Sequence, residues 1–383
     1  MKKVLLFSPT GSIHTRFNTA NIKAIDELGY ELHLLANFEN GPGPEGKNEA
    51  FAKSCNEQGY YVHNIPFSRA GSFKNIAYVS ELKKFLRKEQ FDIVHAHTET
   101  GGLLLRLASS AKGSSRFIYT AHGMSFWKGC PLKNRLIYKT IEWWICRGMD
   151  MNLGMNQEEV DVLRKWNSKT AAYVHGIGLN LERFQKVGRS REEVRAEFGL
   201  KEDDKFIVSV GELDDNKNHI TVIKALAMLE HKNFQYVVCG VGPNKEMLEK
   251  YAQERGLDDK VILAGYRSDI PDILNAANIF VFPSFHEGMP VAALEAMACG
   301  LPLVCSRIRG NVDIVKDGEN GFLFEPKDFI TLALSLEKLI GNQTQSKLFG
   351  EKNKNIVQQY SLETVVEELK ALYHINNRNE FNT

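Results

Sequence analysis

His286-Glu287-Gly288-Met289-Pro290-Val291-Ala292-Ala293-Leu294-Glu295-Ala296-Met297-Ala298-Cys299-Gly300-Leu301-Pro302 decides how the rest of the chain is read. Pro290 suits a first helical position, where its fixed φ and missing N–H cost nothing, and Gly300 suits the residue just past the end. A helix is therefore expected from about Pro290 to Cys299. The run before it, Asn278-Ile279-Phe280-Val281-Phe282-Pro283-Ser284, is short and apolar and reads as a buried parallel strand. Glu287 then falls in the loop at the strand's carboxyl end, where open α/β sheets bind ligands, and Glu295 lies about one and a half turns inside the helix, leaning back toward its start. Both acids can face one ligand, and the free amides and positive dipole end between them suit a diphosphate. Taken alone, the two acids fit equally well a capped, alanine-rich helix with solvated glutamates; the strand before them is what favours a site.

Working outward, apolar runs alternate with helix-length segments. Val4 to Phe7, Glu31 to Leu35, Tyr61 to Ile65, Asp92 to His95, Arg116 to Thr120, Met149 to Leu153 and Ala171 to Val174 form one series. Phe206 to Val210, Tyr236 to Cys239, Val261 to Leu263, Ile279 to Phe282, Leu303 to Cys305 and Phe322 to Phe324 form a second. Each series is a βα repeat, so the fold class is α/β, with two Rossmann-like, doubly wound parallel sheets facing across a cleft. The expected domains are 1–178, 179–360 and a terminal helix with tail over 361–383, with a hinge at Gly176-Ile177-Gly178-Leu179-Asn180 and the charged stretch Arg183 to Asp204. A last amphipathic helix is expected near Val365 to Tyr373, a flexible loop at Gly41 to Gly46 and a frayed tail at Asn376 to Thr383.

Composition narrows the function. With 383 residues, 48 Lys and Arg against 47 Asp and Glu, and 43% hydrophobic residues, the chain is a two-domain protein with no charge excess pointing to nucleic acid. No apolar run approaches the ~20 residues of a membrane span, and the apolar start is too short for a secretory signal, so a cytoplasmic protein is expected. The six cysteines lack a C-x-x-C pair and are expected to be reduced. The first βα junction, Ser8-Pro9-Thr10-Gly11-Ser12, and Gly240-Val241-Gly242-Pro243 both lack G-x-G-x-x-G, which disfavours a dinucleotide dehydrogenase.

The spacing of Glu287 and Glu295 resembles the E-x7-E signature of the large family four of retaining glycosyltransferases, which have the GT-B fold, and the run Tyr119 to Leu136 is similar to bacterial exopolysaccharide and capsule enzymes of that family. The resemblance spans about Lys3 to Leu372. It implies that Glu287 lies by the donor sugar, that Glu295 binds the nucleotide ribose, and that the amides of Gly288, Met289, Pro290 and Val291 surround the diphosphate, proline offering only its turn. Gly211-Glu212-Leu213-Asp214-Asp215-Asn216-Lys217-Asn218-His219 follows the second domain's first strand, a plausible diphosphate clasp on spacing alone; the family places a phosphate-binding lysine at Lys217. The family's arginine after that glycine is Glu212 here, leaving Arg307 or Arg309 as substitutes, and Arg267 is grouped with Gly211 on the donor side.

On the first domain, the resemblance brings His122, in Tyr119-Thr120-Ala121-His122-Gly123-Met124, to the transferred sugar, with Gly11, Ser12, His97 and Phe126 lining the acceptor side. An isolated histidine is otherwise more often structural. His95, His97 and His122 make a poor metal triad, since no acid or cysteine spacing supports one, and the family needs no metal and no cofactor besides its donor. Phe126 to Lys139 mixes aromatic and aliphatic residues with cations: an ordinary amphipathic helix, a contact with an anionic leaflet, or a mouth for a polyprenyl diphosphate acceptor. The implied activity is retaining, metal-independent transfer of a hexosyl or N-acetylhexosaminyl unit from a nucleotide-sugar, a UDP-sugar, to a lipid-linked oligosaccharide. The rivals are a nucleotide-sugar 2-epimerase of the same fold and a non-catalytic sugar-nucleotide-binding subunit.

Overall fold

The computed structural model describes residues 1–39, 46–68, 74–127, 129–166, 171–230 and 233–375. Gly41 to Glu45 of the loop expected at Gly41 to Gly46, Lys128 of the basic run and the tail from Asn376 lie outside them. The chain divides into two compact units, Met1–Gly178 with Leu362–Thr383, and Leu179–Ser361.

In the first unit the strands are β1 (Lys3–Thr10), β2 (Glu31–Asn37), β3 (Tyr61–Asn64), β4 (Ile93–His97), β5 (Arg116–Thr120), β6 (Met151–Gly154) and β7 (Ala171–Tyr173). Among the described residues they form one sheet, ordered 3-2-1-4-5-6-7 and parallel throughout. The strands are hydrophobic almost end to end because helices cover both faces; β1 is buried from Leu5 through Thr10. Two clusters, one around Phe7, Leu105 and Tyr119 and one around Leu6, Ile25 and Met151, fill the two sides. The helix Leu362–His374 belongs to the second of these: Val365, Val366, Leu369 and Tyr373 are buried in it, and the Arg116 guanidinium donates to the carbonyls of Leu372 and Ile375.

The second unit repeats the plan with β8 (Lys205–Val210), β9 (Phe234–Cys239), β10 (Val261–Gly265), β11 (Ile279–Phe282), β12 (Leu303–Ser306) and β13 (Gly321–Phe324), ordered 10-9-8-11-12-13. In both sheets the order reverses direction beside the first strand, between β1 and β4 and between β8 and β11. Such a reversal splays the connecting loops apart and leaves a crevice at the carboxyl ends of the strands.

Three expectations need correction. The charged stretch Arg183 to Asp204 is no linker: Phe184, Val194 and Phe198 are buried in the second unit's core, and a capping box at Ser190 and Glu193 starts the helix Arg191–Glu197. Its charge is used internally, since Arg195 donates to the carbonyls of Lys201, Glu202 and Asp204. Pro290 occupies the position before the first helical residue of Val291–Ala298 rather than the first turn itself. And β4 runs on through His97, two residues further than its apolar content predicts, because buried histidines continue it.

Candidate active site

The β11 loop of the second unit is built by punctuation. Val291–Ala298 ends in a Schellman motif: Gly300 adopts φ 72°, its N–H donates to Met297 O, and the Leu301 N–H donates to Ala296 O. At the other end, the residues from Phe285 to Pro290 are tied to the β8 loop. The Phe285 N–H donates to Asn216 O (2.8 Å) and Asn216 Nδ2 donates to His286 O (3.0 Å). Asn218, in the left-handed region at φ 54°, reaches with Nδ2 to the carbonyls of Pro283 and Pro326. Sequence reading overlooked Asn216 and Asn218. Asparagine before a helix, tolerant of positive φ and able to bond backbone carbonyls, is the signal that was available.

This knitting brings Lys217 to Glu287. Lys217 Nζ lies 2.6 Å from Glu287 Oε1, with both side chains largely sheltered, and sits 5.2 Å from the centroid of the Phe282 ring. Gly211 makes room for it: a Cβ there would press on the Lys217 stem at 3.2 Å. Glu295 sits deeper. Burial pushes its carboxyl up to about 7, opposed only weakly by Arg183, so near neutrality it is poised between its charged and neutral forms. Among the described residues no side chain hydrogen-bonds that carboxyl, which leaves it available as an acceptor. Gly211, Lys217, Glu287, Gly288, Met289, Pro290, Val291 and Glu295 thus gather at the β8/β11 crevice.

The remaining donor-side residues fall differently. Arg267 follows β10 and is held by Glu197 (2.7 Å) and Asp269 (2.6 Å), carboxylates that raise its already high pKa. Arg307 pairs with Asp317 (2.7 Å) on the surface. Arg309 is buried, and its NH2 lies 2.6 Å from His286 Nε2, beside the turn at Gly310 that packs on Gly288 and Pro290. Of the two arginines considered as stand-ins for the family's cation, Arg309 is the one adjoining the Glu287 loop.

In the first unit the β1/β4 crevice gathers Ser12, His97 and His122. Ser12 Oγ is 3.1 Å from Thr10 Oγ1, and Gly11 begins the helix Gly11–Phe17 where a Cβ would strike the Phe38 ring. His97 Nδ1 lies 3.0 Å from His122 Nε2, and the His122 ring is 5.4 Å from that of Phe17. The turn after His122 is pinned by the Met124 N–H, which donates to the buried Glu159 carboxylate at 2.7 Å. Burial holds His122 down at about 4 and His97 well below the ordinary histidine range, so both are neutral at pH 7. His95 spends both ring nitrogens on Tyr373 and Thr120. Phe126 does not line this crevice: it is buried and packs on Trp166 (5.8 Å), because the loop before the next helix folds its aromatic residue inward. In that helix, Leu132–Cys146, Leu132, Leu136 and Ile137 are exposed beside Lys133, Arg135 and Lys139.

Residues 190–356 match the family described as glycosyl transferases group 1, and residues 3–151 match glycosyl transferase 4-like proteins. The putative glycosyltransferase EpsD of Bacillus subtilis is 31% identical over 97% of both chains. The UDP-Gal:alpha-D-GlcNAc-diphosphoundecaprenol alpha-1,3-galactosyltransferase of Escherichia coli is 28% identical, over 94% of this chain and 98% of that one. Among solved structures, Anabaena HepE in complex with UDP and glucose aligns with a TM-score of 0.78 at 17% identity, covering 98% of this chain and 100% of its own. Sucrose-phosphate synthase from Thermosynechococcus elongatus reaches 0.80 at 20%, covering 97% and 98%. These structures speak for the fold and the sequence relatives for the family: the chain belongs to the group 1 glycosyltransferases and has the GT-B fold.

Proposed function

We propose that the protein transfers a hexosyl or N-acetylhexosaminyl unit from a UDP-sugar to a lipid-linked, polyprenyl diphosphate oligosaccharide in exopolysaccharide or capsule assembly, with retention at the anomeric carbon and without a metal. The observation that carries this reading is the Lys217–Glu287 ion pair at the head of the Val291–Ala298 helix, with Glu295 inside it. A lysine and helix amides favour the charge that develops on a departing diphosphate, and their strength comes from being held in place before the reaction. Glu287 fixes the ammonium and accepts from sugar hydroxyls. Glu295 accepts from the ribose. The E. coli relative, named for a UDP-Gal donor and a diphosphoundecaprenol acceptor, supports the choice of substrates.

The acceptor's lipid suggests where the exposed face of Leu132–Cys146 belongs. Leu132 and Leu136 are 76% and 67% exposed and stand one turn apart amid cations, a pattern suited to an anionic leaflet. Among the described residues no helix is long and apolar enough to cross a membrane, so the proposed contact is peripheral.

The test is incubation with a panel of UDP-sugars and an undecaprenyl-diphosphate N-acetylglucosamine acceptor, with and without chelator, and with the product's anomeric configuration read by NMR. An α-linked product formed equally well in chelator is expected. An inverted product, chelator sensitivity, or epimerised UDP-sugar formed without acceptor would each refute the corresponding part of the reading.

A further inference from the structure

The first unit holds two sets of buried side-chain hydrogen bonds that meet where the His95 and His97 rings touch, and the second ends at His122. Tyr373 Oη donates to Asn21 Oδ1 (2.8 Å) and therefore accepts from His95 Nδ1 (2.8 Å). With its proton on Nδ1, His95 accepts at Nε2 from Thr120 Oγ1 (2.6 Å). His97, two residues on and on the same face of β4, lies against His95 with ring centroids 4.1 Å apart and planes tilted by 32°. Its Nδ1 meets His122 Nε2, while its own Nε2 is buried and has no hydrogen-bond partner among the described residues. Thr98 immediately after it holds φ 68°, an uncommon conformation for a β-branched residue, so the backbone carries strain at the point that sets the His97 ring.

The two neutral arrangements of the His97–His122 bond are not equivalent. If His122 donates, the His97 proton sits on Nε2, an N–H in the interior with no acceptor, which native proteins rarely show. If His97 donates from Nδ1, its Nε2 bears only a lone pair, and an unmatched acceptor is tolerated more readily than an unmatched donor. The second arrangement leaves the proton of His122 on Nδ1.

We propose that His97 is a positioning residue: by donating from Nδ1 to Nε2 of His122 it fixes His122 as the Nδ1–H tautomer, so that His122 offers a hydrogen-bond donor, not a base, to an oxygen of the transferred sugar. The tautomer stands on the geometry alone, while its effect on turnover rests on the glycosyl-transfer reading above. Long-range 1H–15N correlation spectra of histidine-labelled protein at pH 7, with His122 assigned by comparison with His122→Gln, should show a protonated Nδ1 and an unprotonated Nε2. An Nε2–H pattern overturns the proposal whether or not the protein transfers sugar. His97→Leu should lower kcat by about thirtyfold with UDP affinity unchanged, the loss expected for one buried hydrogen bond. His97→Asn, whose Nδ2–H takes the place of the ring Nδ1–H, should recover at least about tenfold of that. A wild-type kcat in His97→Leu, or an Asn variant that melts like the wild type and turns over no faster than Leu, overturns it too. Wild-type protein that transfers no sugar would sink the functional reading and leave the spectra to decide the tautomer.

Discussion

The two crevices sit at the same topological position in two sheets of the same plan, yet their chemistry is opposite. In the second unit, charge is kept: Lys217 and Glu287 hold each other, and Glu295 is suspended near neutrality by burial. In the first unit's crevice the histidines are kept uncharged: burial holds His14, His95, His97 and His122 neutral, with His14 bonded to the Asn18 amide and the Leu35 carbonyl, His95 to Tyr373 and Thr120, and His97 to His122. A charged crevice suits the anionic diphosphate, and a neutral, hydrogen-bonding one suits sugar hydroxyls. The fold fixes where a site lies, and a few side chains at the strand ends decide what it can hold.

The largest expected effect breaks the charged side. Lys217→Ala removes the cation proposed to face the leaving group and should lower kcat by about a thousandfold, the upper range for loss of one preorganised electrostatic contact; a loss under about tenfold in steady-state assays would place the phosphate contact elsewhere, with Arg309 the first alternative.

On the neutral side the loss should be smaller. His122→Ala is expected to lower kcat by about a hundredfold with little change in UDP affinity, since a neutral donor acts on the transition state more than on the nucleotide. Full-rate turnover with the true donor and acceptor would make His122 only a buried strand-end residue.

The third prediction sharpens the contrast through pH. Glu295 has its folded-state pKa raised to about 7, with Arg183 and the Cys299 thiol the groups coupled to it. If its carboxylate accepts from the ribose, UDP affinity should rise about tenfold between pH 6 and pH 8 as the group ionises, with a proton released on binding. For stability the sign is reversed. The native state binds the extra proton between the ordinary glutamate range and about 7, so this group's contribution falls as pH rises through that window and is lost above it. Glu295→Gln should therefore gain melting temperature relative to wild type at pH 8 more than at pH 5, and calorimetry in buffers of different ionisation enthalpy should show no proton release. A Gln variant with the wild-type pH profile of UDP binding would assign the titration to another group.

The smallest effect compares packing. A Cβ at Gly240 would lie 1.8 Å from Gly211 O, a backbone atom of the loop after β8, whereas the atoms nearest one at Gly102 belong to the Tyr119 and Ile145 side chains. Gly240→Ala should destabilise by about 1–3 kcal/mol and Gly102→Ala by less, because a side chain can shift by itself whereas a backbone carbonyl must carry its peptide with it. Equal melting shifts would show that both loops yield alike.

The helix from Pro290 and the strands on either side of it were legible because proline and glycine mark its ends and the apolar runs are unbroken. What linked Lys217 to Glu287 was not, since a separation of 70 positions carries no local pattern for a tertiary ion pair. The stretch from Arg183 looked like a linker because its charges are dense, whereas Arg195 spends its charge on interior carbonyls. Phe126 looked like lining because it stands among cations, and it turned inward where its ring could be covered by Trp166. Periodicity reports which residues are apolar; it does not report which polar ones find partners.

The helix Leu362–His374 has a consequence for how the chain comes to exist. Its Tyr373, Leu369 and Val365 belong to the same core as Val4 and Leu6, residues made long before them. During synthesis, the second unit, continuous from Leu179 to Ser361, has everything it needs before the first does. The first unit lacks that part of its core, against the helix Thr19–Glu27, until Leu362–His374 leaves the ribosome. A nonsense codon within that helix therefore injures the unit that was made earlier rather than the one just before it.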